Sequence, residues 1–420
     1  MIQSKDLENL IFKGFSNIRW DYVLSRIIIE SRFNPIGKVY WYKVLMRCFV
    51  SKGKIFEFQE QQNAKIFCFT DNDRKSGREK IDKLCKLFPT DYMKVYSSGK
   101  LSFHFLIGIR IFILYLFSWI KELYKSGMSF NEKLYVLIFV IDFFIFSKTN
   151  KIKYNKYKLI IVYHDAIPPD SFVVEMGKKL HIPTATLQHG QFTAYRENKL
   201  ENSGIEFKAH HSDYMLCWNK FTIAEAAKDG INVDNFICAG ILDYIGCNIV
   251  PNSQSSHDNF GVVINHPFWE DGNIKMIKAA NLLATATGLK YYLKLHPNYK
   301  DDYFNNYVDS HYFLGIIDRD ITVPQYASMV DFSIVGSSSV FVELVYIKHK
   351  TIRYSDKSIT DKFRDITTDI FFEDPQSVIK AYSKLSNEKF SVDTFDLLCT
   401  IEDVTGEYKK FIEGFVDVKG

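Results

Sequence analysis

The chain has 420 residues, 47 % of them hydrophobic and 24 % charged, with a formal net charge of +4. That balance excludes a disordered or collagen-like chain, and the length exceeds the ~250–300 residues at which one core stops growing, so two domains are expected. Lys and Arg are dispersed among acidic residues and do not stack on one periodic face, which argues against nucleic acid as the main partner.

The first ten residues are polar and Lys13, Arg19 and Asp21 follow, so no secretory signal is read and the protein is expected in the cytoplasm. Cys48, Cys68, Cys85, Cys217, Cys238, Cys247 and Cys399 form no C-x-x-C pair and no zinc spacing, as befits buried thiols in a reducing compartment. His104–Ile120 and Leu134–Phe146 are apolar but interrupted by Arg110 and Asp142, and each falls short of the roughly 20 apolar residues a membrane span needs. The region 101–147 is expected to form buried helices. Its basic flanks (Lys121, Lys125, Lys148, Lys151, Lys153, Lys156, Lys158) leave open a peripheral contact with anionic lipid at the inner face of the membrane.

From residue 60 onward, short apolar runs alternate with helix-length segments, the rhythm of βαβ units and a mostly parallel sheet. Strands are expected at 64–70, 158–163, 184–187, 214–218 and 236–240. Helices are expected at 78–87, at 170–180 with Asp170 as its cap, and at 221–229 stopped by Gly230. Pro251-Asn-Ser-Gln-Ser-Ser-His-Asp-Asn259 is polar and rich in breakers, suited to a domain boundary. Beyond it come strands at 261–265, 291–295, 331–335 and 350–354, with helices at 273–287, 324–329 and after Ser339. Helices in the tail are expected to pack back on the first domain. No internal repeat is found.

Three strand ends carry chemistry. Asp331-Phe-Ser-Ile-Val-Gly-Ser-Ser-Ser-Val-Phe-Val-Glu343 reads as a buried strand, a turn at Gly336 and a helix start with Ser337, Ser338 and Ser339, a cradle for phosphate beyond the carboxyl edge of a sheet. Glu343 lies one helical turn past Ser339, where both can face one ligand. In Leu293-Lys-Leu-His-Pro-Asn298, Pro297 forces the chain out of regular pairing and leaves His296 at a strand exit, able to donate to a phosphate oxygen. Thr186-Leu-Gln-His-Gly190 places His189 at a similar exit, and His164-Asp165 ends the strand before it.

Two Rossmann-like halves without a dinucleotide fingerprint point to an α/β fold of the GT-B type, with parallel sheets facing across a cleft. The ordered set Ile182-Pro-Thr-Ala-Thr-Leu-Gln-His-Gly190, Lys294-Leu-His-Pro297 and Gly336-Ser-Ser-Ser-Val-Phe-Val-Glu343 resembles bacterial glycosyltransferases of surface and capsular polysaccharide synthesis. It also resembles the teichoic-acid CDP-glycerol glycerophosphotransferases and, more loosely, the bacterial polysialyltransferases. The resemblance covers about residues 158–354. It implies that residues 1–250 form an acceptor-side domain, 251–385 a nucleotide-donor domain, and 386–420 returning helices.

Carried over by residue, the resemblance implies that His296, Pro297, Lys294, Gly336, Ser337, Ser338 and Ser339 hold the donor phosphates. Glu343 would accept from ribose or sugar hydroxyls, and His189 matches the first-domain general base. Lys294 and Leu295 stand where the teichoic family often has an arginine, which speaks against a CDP-glycerol donor. Asp165 competes with His189 as base, and His164 could orient either.

The expected reaction is sugar transfer from a nucleotide-activated donor to a glycan acceptor that a lipid carrier could hold. It is expected to proceed with inversion and without metal or other cofactor. Two alternatives remain: a CDP-glycerol or CDP-ribitol type polyol-phosphate transferase, and a non-catalytic nucleotide-binding module.

Overall fold

The computed structural model describes residues 64–70, 75–88, 92–97, 157–167, 169–192, 207–244, 258–336, 338–355, 370–387 and 403–416. It also describes strand segments 50–52, 56–60 and 101–103 and isolated positions from 42 to 146 and at 398. Most of the apolar region 101–147, the 251–257 segment and Ser337 lie outside the described residues.

In chain order the elements are β1 (Val50–Lys52), β2 (Phe56–Glu60), β3 (Ile66–Thr70), α1 (Lys75–Lys86), β4 (Tyr92–Ser97), β5 (Leu101–Phe103), β6 (Leu159–Val162), α2 (Asp170–Lys179), β7 (Thr184–Leu187), β8 (Tyr214–Cys217), α3 (Lys220–Lys228) and β9 (Phe236–Cys238). There follow β10 (Asn259–Val263), α4 (Glu270–Thr287), β11 (Lys290–Lys294), β12 (Phe313–Ile316), α5 (Val323–Ala327), β13 (Ser333–Val335), α6 (Ser339–Tyr346), β14 (Thr351–Tyr354), β15 (Phe371–Phe372), α7 (Val378–Asn387) and α8 (Val404–Glu413).

Among the described residues these strands make a seven-stranded sheet of order β2-β4-β3-β6-β7-β8-β9, a six-stranded sheet of order β12-β11-β10-β13-β14-β15, and the small pair β1-β5. All pairings in the two large sheets are parallel except β2 with β4. The architecture is α/β of the GT-B type. Leu101–Phe103 is a strand paired antiparallel with Val50–Lys52, where a helix was expected. No helix among the described residues is long and apolar enough to cross a membrane.

The buried runs Ile66–Thr70, Leu159–Val162 and Thr184–Leu187 are continuous because helices cover both faces of a parallel sheet. Topology fixes two crevices. In the first sheet the order reverses between β3 and β6, and in the second between β10 and β13, so ligand crevices are expected beyond Thr70 and Tyr163 and beyond Asn265 and Gly336. Close packing holds these edges: a Cβ on Gly77 would lie 2.7 Å from Thr70 Oγ1 and 2.8 Å from the Tyr163 ring.

The lobes share apolar contacts. Tyr244, after β9, lies 4.9 Å ring to ring from Tyr346 of α6, and its hydroxyl donates to the Glu343 carbonyl at 3.2 Å. Helix α8 lies on the first sheet, where Phe411 is 5.5 Å from Tyr214 and the Tyr408 hydroxyl donates to the Gly240 carbonyl at 3.3 Å.

Candidate functional site

On the first sheet, β6 and β7 end in His164 and His189, whose ring centroids are 3.7 Å apart at 45°. The Tyr163 ring lies 6.4 Å from His189 and Phe207 lies 6.3 Å from it. Gln188 makes this loop rigid. Its Oε1 accepts from the Trp218 amide at 2.6 Å, its carbonyl accepts from the Trp218 indole at 3.0 Å, and its Nε2 donates to the Gly190 carbonyl at 2.7 Å. The neighbouring His189 is left half-buried at the strand exit. Glutamine thus precedes the histidine because a buried amide with both donor and acceptor faces can tie two strands and a turn together.

Asp165 behaves differently from the proton acceptor weighed in the sequence. Its Oδ2 accepts from His210 Nδ1 at 2.8 Å, from the His211 amide at 3.1 Å and from the Ser212 amide at 2.8 Å. Burial alone would raise its pKa, but His210, His211 and the Ser212 amide hold the carboxyl well below the usual range. A carboxylate so stabilised is a poor base and a good anchor. Asp170, expected as a helix cap, is instead the first residue of α2, and its Oδ2 accepts from the His164 amide at 3.0 Å.

On the second sheet, Ser338 is the N-cap of α6 and accepts from the Val340 amide at 3.3 Å, so Ser339 is the first helical residue and Gly336 closes β13. A Cβ on Gly336 would stand 2.5 Å from Asn265 Nδ2, so any larger residue here would have to displace this buried side chain. Asn265 is 8 % exposed, and its Oδ1 has no hydrogen-bond partner within the protein. Beside it, His296 Nδ1 accepts from the Asn298 amide at 3.2 Å, which places the proton of the neutral ring on Nε2. Lys294 Nζ donates to the Ile321 carbonyl at 2.9 Å, and burial pushes its pKa down against the pull of Glu343 and Asp318.

Glu343 lies between the lobes. Burial, with Asp243 adding to it, pushes its carboxyl up to about 7 against the opposing pull of Lys80, Lys294 and Lys83. Lys80 is buried between Trp218 at 5.1 Å and Tyr163 at 5.8 Å, and pairs with Asp243 at 3.7 Å. Burial alone would lower its pKa, but Tyr163, Asp243 and Glu343 raise it. Lys83 binds the same carboxylate at 3.0 Å. Tyr163 thus lies near both His189 and Lys80, and the charges of Lys80 and Lys294, the latter two residues before His296, act on Glu343.

Sequence reasoning passed over Lys80, Asn265, His210 and His266. Lys80 sits in an ordinary amphipathic helix, and His210 meets Asp165 across 45 residues of sequence, so neither has a local signal. His266 did have one, because Asn265-His266-Pro267 repeats the His-Pro pair. Among the described residues no group of three or more His, Cys, Asp or Glu is placed to hold a metal ion.

No family model matches the chain, and no curated protein is similar to it. Solved structures do match. The S. aureus protein MnaA, in complex with UDP, is 12 % identical over 84 % of this chain and 97 % of that chain, with a TM-score of 0.52. A Listeria monocytogenes protein described as a UDP-N-acetylglucosamine 2-epimerase is 10 % identical over 85 % of this chain and 98 % of that chain, also at 0.52. The wall teichoic acid polymerase TagF is 12 % identical over 85 % of this chain and 92 % of that chain, at 0.48. The first two are GT-B enzymes and share the fold described above.

Proposed function

We propose that the chain is a glycosyltransferase that moves a sugar from a nucleotide-activated donor to a growing cell-surface polysaccharide, by a single displacement with inversion. The observation that carries this reading is the pair of strand-exit clusters, imidazoles on one sheet and a serine turn with His296 on the other. The two fold relatives are a protein solved with UDP and one described as acting on a UDP-sugar, which is the donor class assigned here.

The chemistry needs a proton acceptor for the attacking hydroxyl and fixed donors for the departing phosphate. His189 takes the proton, since an imidazole nitrogen can accept one from an attacking hydroxyl. His164, packed on it at 3.7 Å, sets its orientation. Asp165 is a positioning residue that pins the 210–212 segment beneath this cluster. His296 donates through Nε2, Pro297 fixes the turn that presents it, and Gly336 with Ser337, Ser338 and Ser339 offers amides and hydroxyls. Each such donor is worth roughly 3 kcal/mol in comparable oxyanion sites. Lys294 adds positive charge, and Glu343 takes donor hydroxyls, because a carboxylate has about four acceptor positions. These groups do the work without a metal. A lipid-linked acceptor at the inner membrane face would account for the basic-flanked apolar region.

Incubating the pure protein with UDP-, CMP- and CDP-linked sugars and with CDP-glycerol, and following nucleotide release, tests the proposal. Release from a sugar donor that requires a glycan acceptor is expected. Release from CDP-glycerol alone would make the protein a polyol-phosphate transferase, conversion of the donor sugar without acceptor would make it an epimerase, and binding without turnover would leave a nucleotide-binding module.

A further inference from the structure

The second sheet carries the same device twice. At the exit of β10 the sequence is Asn265-His-Pro-Phe-Trp269, and at the exit of the adjacent β11 it is Leu295-His-Pro-Asn-Tyr299. In each, proline takes the second position of a β-turn, and the histidine carbonyl accepts from the amide of the aromatic residue three further on. Trp269 donates to His266 at 2.9 Å and Tyr299 donates to His296 at 3.0 Å. Trp269 and Tyr299 are both buried and anchor their turns in the protein. The strands are in parallel register, with Val263 level with Lys294, so both histidines emerge at one edge.

Their rings lie 4.9 Å apart at 76°. Asn298 sets both tautomers: its amide N–H donates to His296 Nδ1 at 3.2 Å and its side-chain Nδ2 lies 3.0 Å from His266 Nε2. A donor at that nitrogen places the His266 proton on Nδ1, while the His296 proton is on Nε2. His266 is exposed, so core packing does not explain why its ring is held, and ordering an exposed side chain costs conformational entropy.

We infer that His266 is a second donor-phosphate ligand and that this site is built for a nucleoside diphosphate in preference to a monophosphate; the inference rests on the nucleotide-donor reading above. The strand order is β11-β10-β13, so the His296 turn and the serine turn are separated by two strand spacings, about 10 Å. One phosphate reaches only one of these turns. A diphosphate reaches from one toward the other, and the residues at the exit of the strand between them are Asn265 and His266. Asn265, nine-tenths buried, stands at the same strand end with its Nδ2 2.5 Å from where a Cβ on Gly336 would lie, an amide donor on the side of the serine turn.

Calorimetric titration of the full chain with UDP, UMP, CDP and CMP decides this. The wild type is expected to bind each diphosphate at least about tenfold tighter than its monophosphate, and H266A to lose about that factor for UDP and CDP while UMP and CMP change little, since the contact removed is a hydrogen bond to a charged group. H266Q, which keeps a donor, is expected to lie between them, and N298A to weaken the diphosphates in the same direction. Unchanged diphosphate binding in an H266A protein that melts like the wild type overturns the inference, as does equal wild-type affinity for UDP and UMP. If the wild type binds none of the four, the nucleotide-donor reading falls and this inference with it. If H266A does not fold, the comparison of wild type with H266Q decides, with equal UDP affinity overturning the assignment.

Discussion

Lys80 of the first lobe, which is buried, and Glu343 of the second, which is half-buried, act on each other's charge across the seam between the two sheets. The carboxyl is nevertheless raised to about 7 from an ordinary 4.5, because burial outweighs the cations around it.

That imbalance has a measurable sign. Between about pH 4.5 and 7 the folded protein keeps a proton on Glu343 that the unfolded chain has lost, so this group's contribution to stability falls as pH rises through that window. Urea denaturation of wild type and Glu343→Gln at pH 5 and pH 7.5 checks it. The wild type is expected to lose more stability than the variant over that interval, and identical changes would show that the carboxyl does not titrate there.

Two buried histidines act in the opposite direction. Burial lowers His211 and His349 to about 4 from 6.5. His349 Nε2 is 2.9 Å from Ser333 Oγ, which is 2.9 Å from the Tyr326 hydroxyl, a neutral network inside the second lobe. Both rings stay neutral in the folded state while the unfolded chain takes up protons below about 6.5, so stability is lost as pH falls from about 6.5 toward 4. His349→Gln is expected to flatten the acid limb of a melting-temperature profile, even if its stability at pH 8 is lower.

Asp165 anchors three donors from one segment, and removing a charge from such a buried cluster is costly. Asp165→Asn is expected to destabilise the fold by about 3 kcal/mol at pH 7, the range for breaking a buried pair on one side. Because its folded pKa is depressed, the wild-type contribution is complete above the ordinary value of 3.8 and is lost only as pH falls through the lower folded value. Thermal melts of the two proteins at pH 7 test the size of the effect. A difference within 0.5 kcal/mol, the scale of an ordinary surface change, would contradict the anchoring role.

The roles proposed for the Gln188-His189-Gly190 loop separate kinetically. His189→Ala is expected to lower turnover by about 10²–10⁴-fold with nucleotide affinity unchanged, as loss of a general base does. Gln188→Leu removes the bonds to Trp218 and Gly190 without touching the imidazole, and is expected to reduce turnover less, with a lower melting temperature. Titration with UDP beside steady-state assays distinguishes these outcomes from a loss of donor binding.

Much of this architecture is legible in the chain because each central strand is a short apolar run that ends in polar residues, as at Val162 before His164 and Leu187 before His189. The strand Phe313–Ile316 escaped because it lies at a sheet edge, with Leu314 exposed and Gly315 at φ +136°, so it lacks an apolar signature. Helix α4 begins at Glu270, three residues before Asn273, because the Pro267 turn delivers the chain directly into it. The site was legible where a motif is local, as in Gln188-His189-Gly190. It was hidden where distant segments meet, as for Lys80 with Glu343 and for Asp165 with His210.

Tyr408 and Gly240 are 168 residues apart in the chain yet hydrogen-bonded, and Phe411 lies against Tyr214 of the first sheet. On a ribosome, where segments emerge in order, the first-made sheet therefore waits for a late helix before its β8 flank is covered. Until then that flank stays open, so nascent chains released before residue 404 are expected to recruit chaperones through the surface that α8 finally seals.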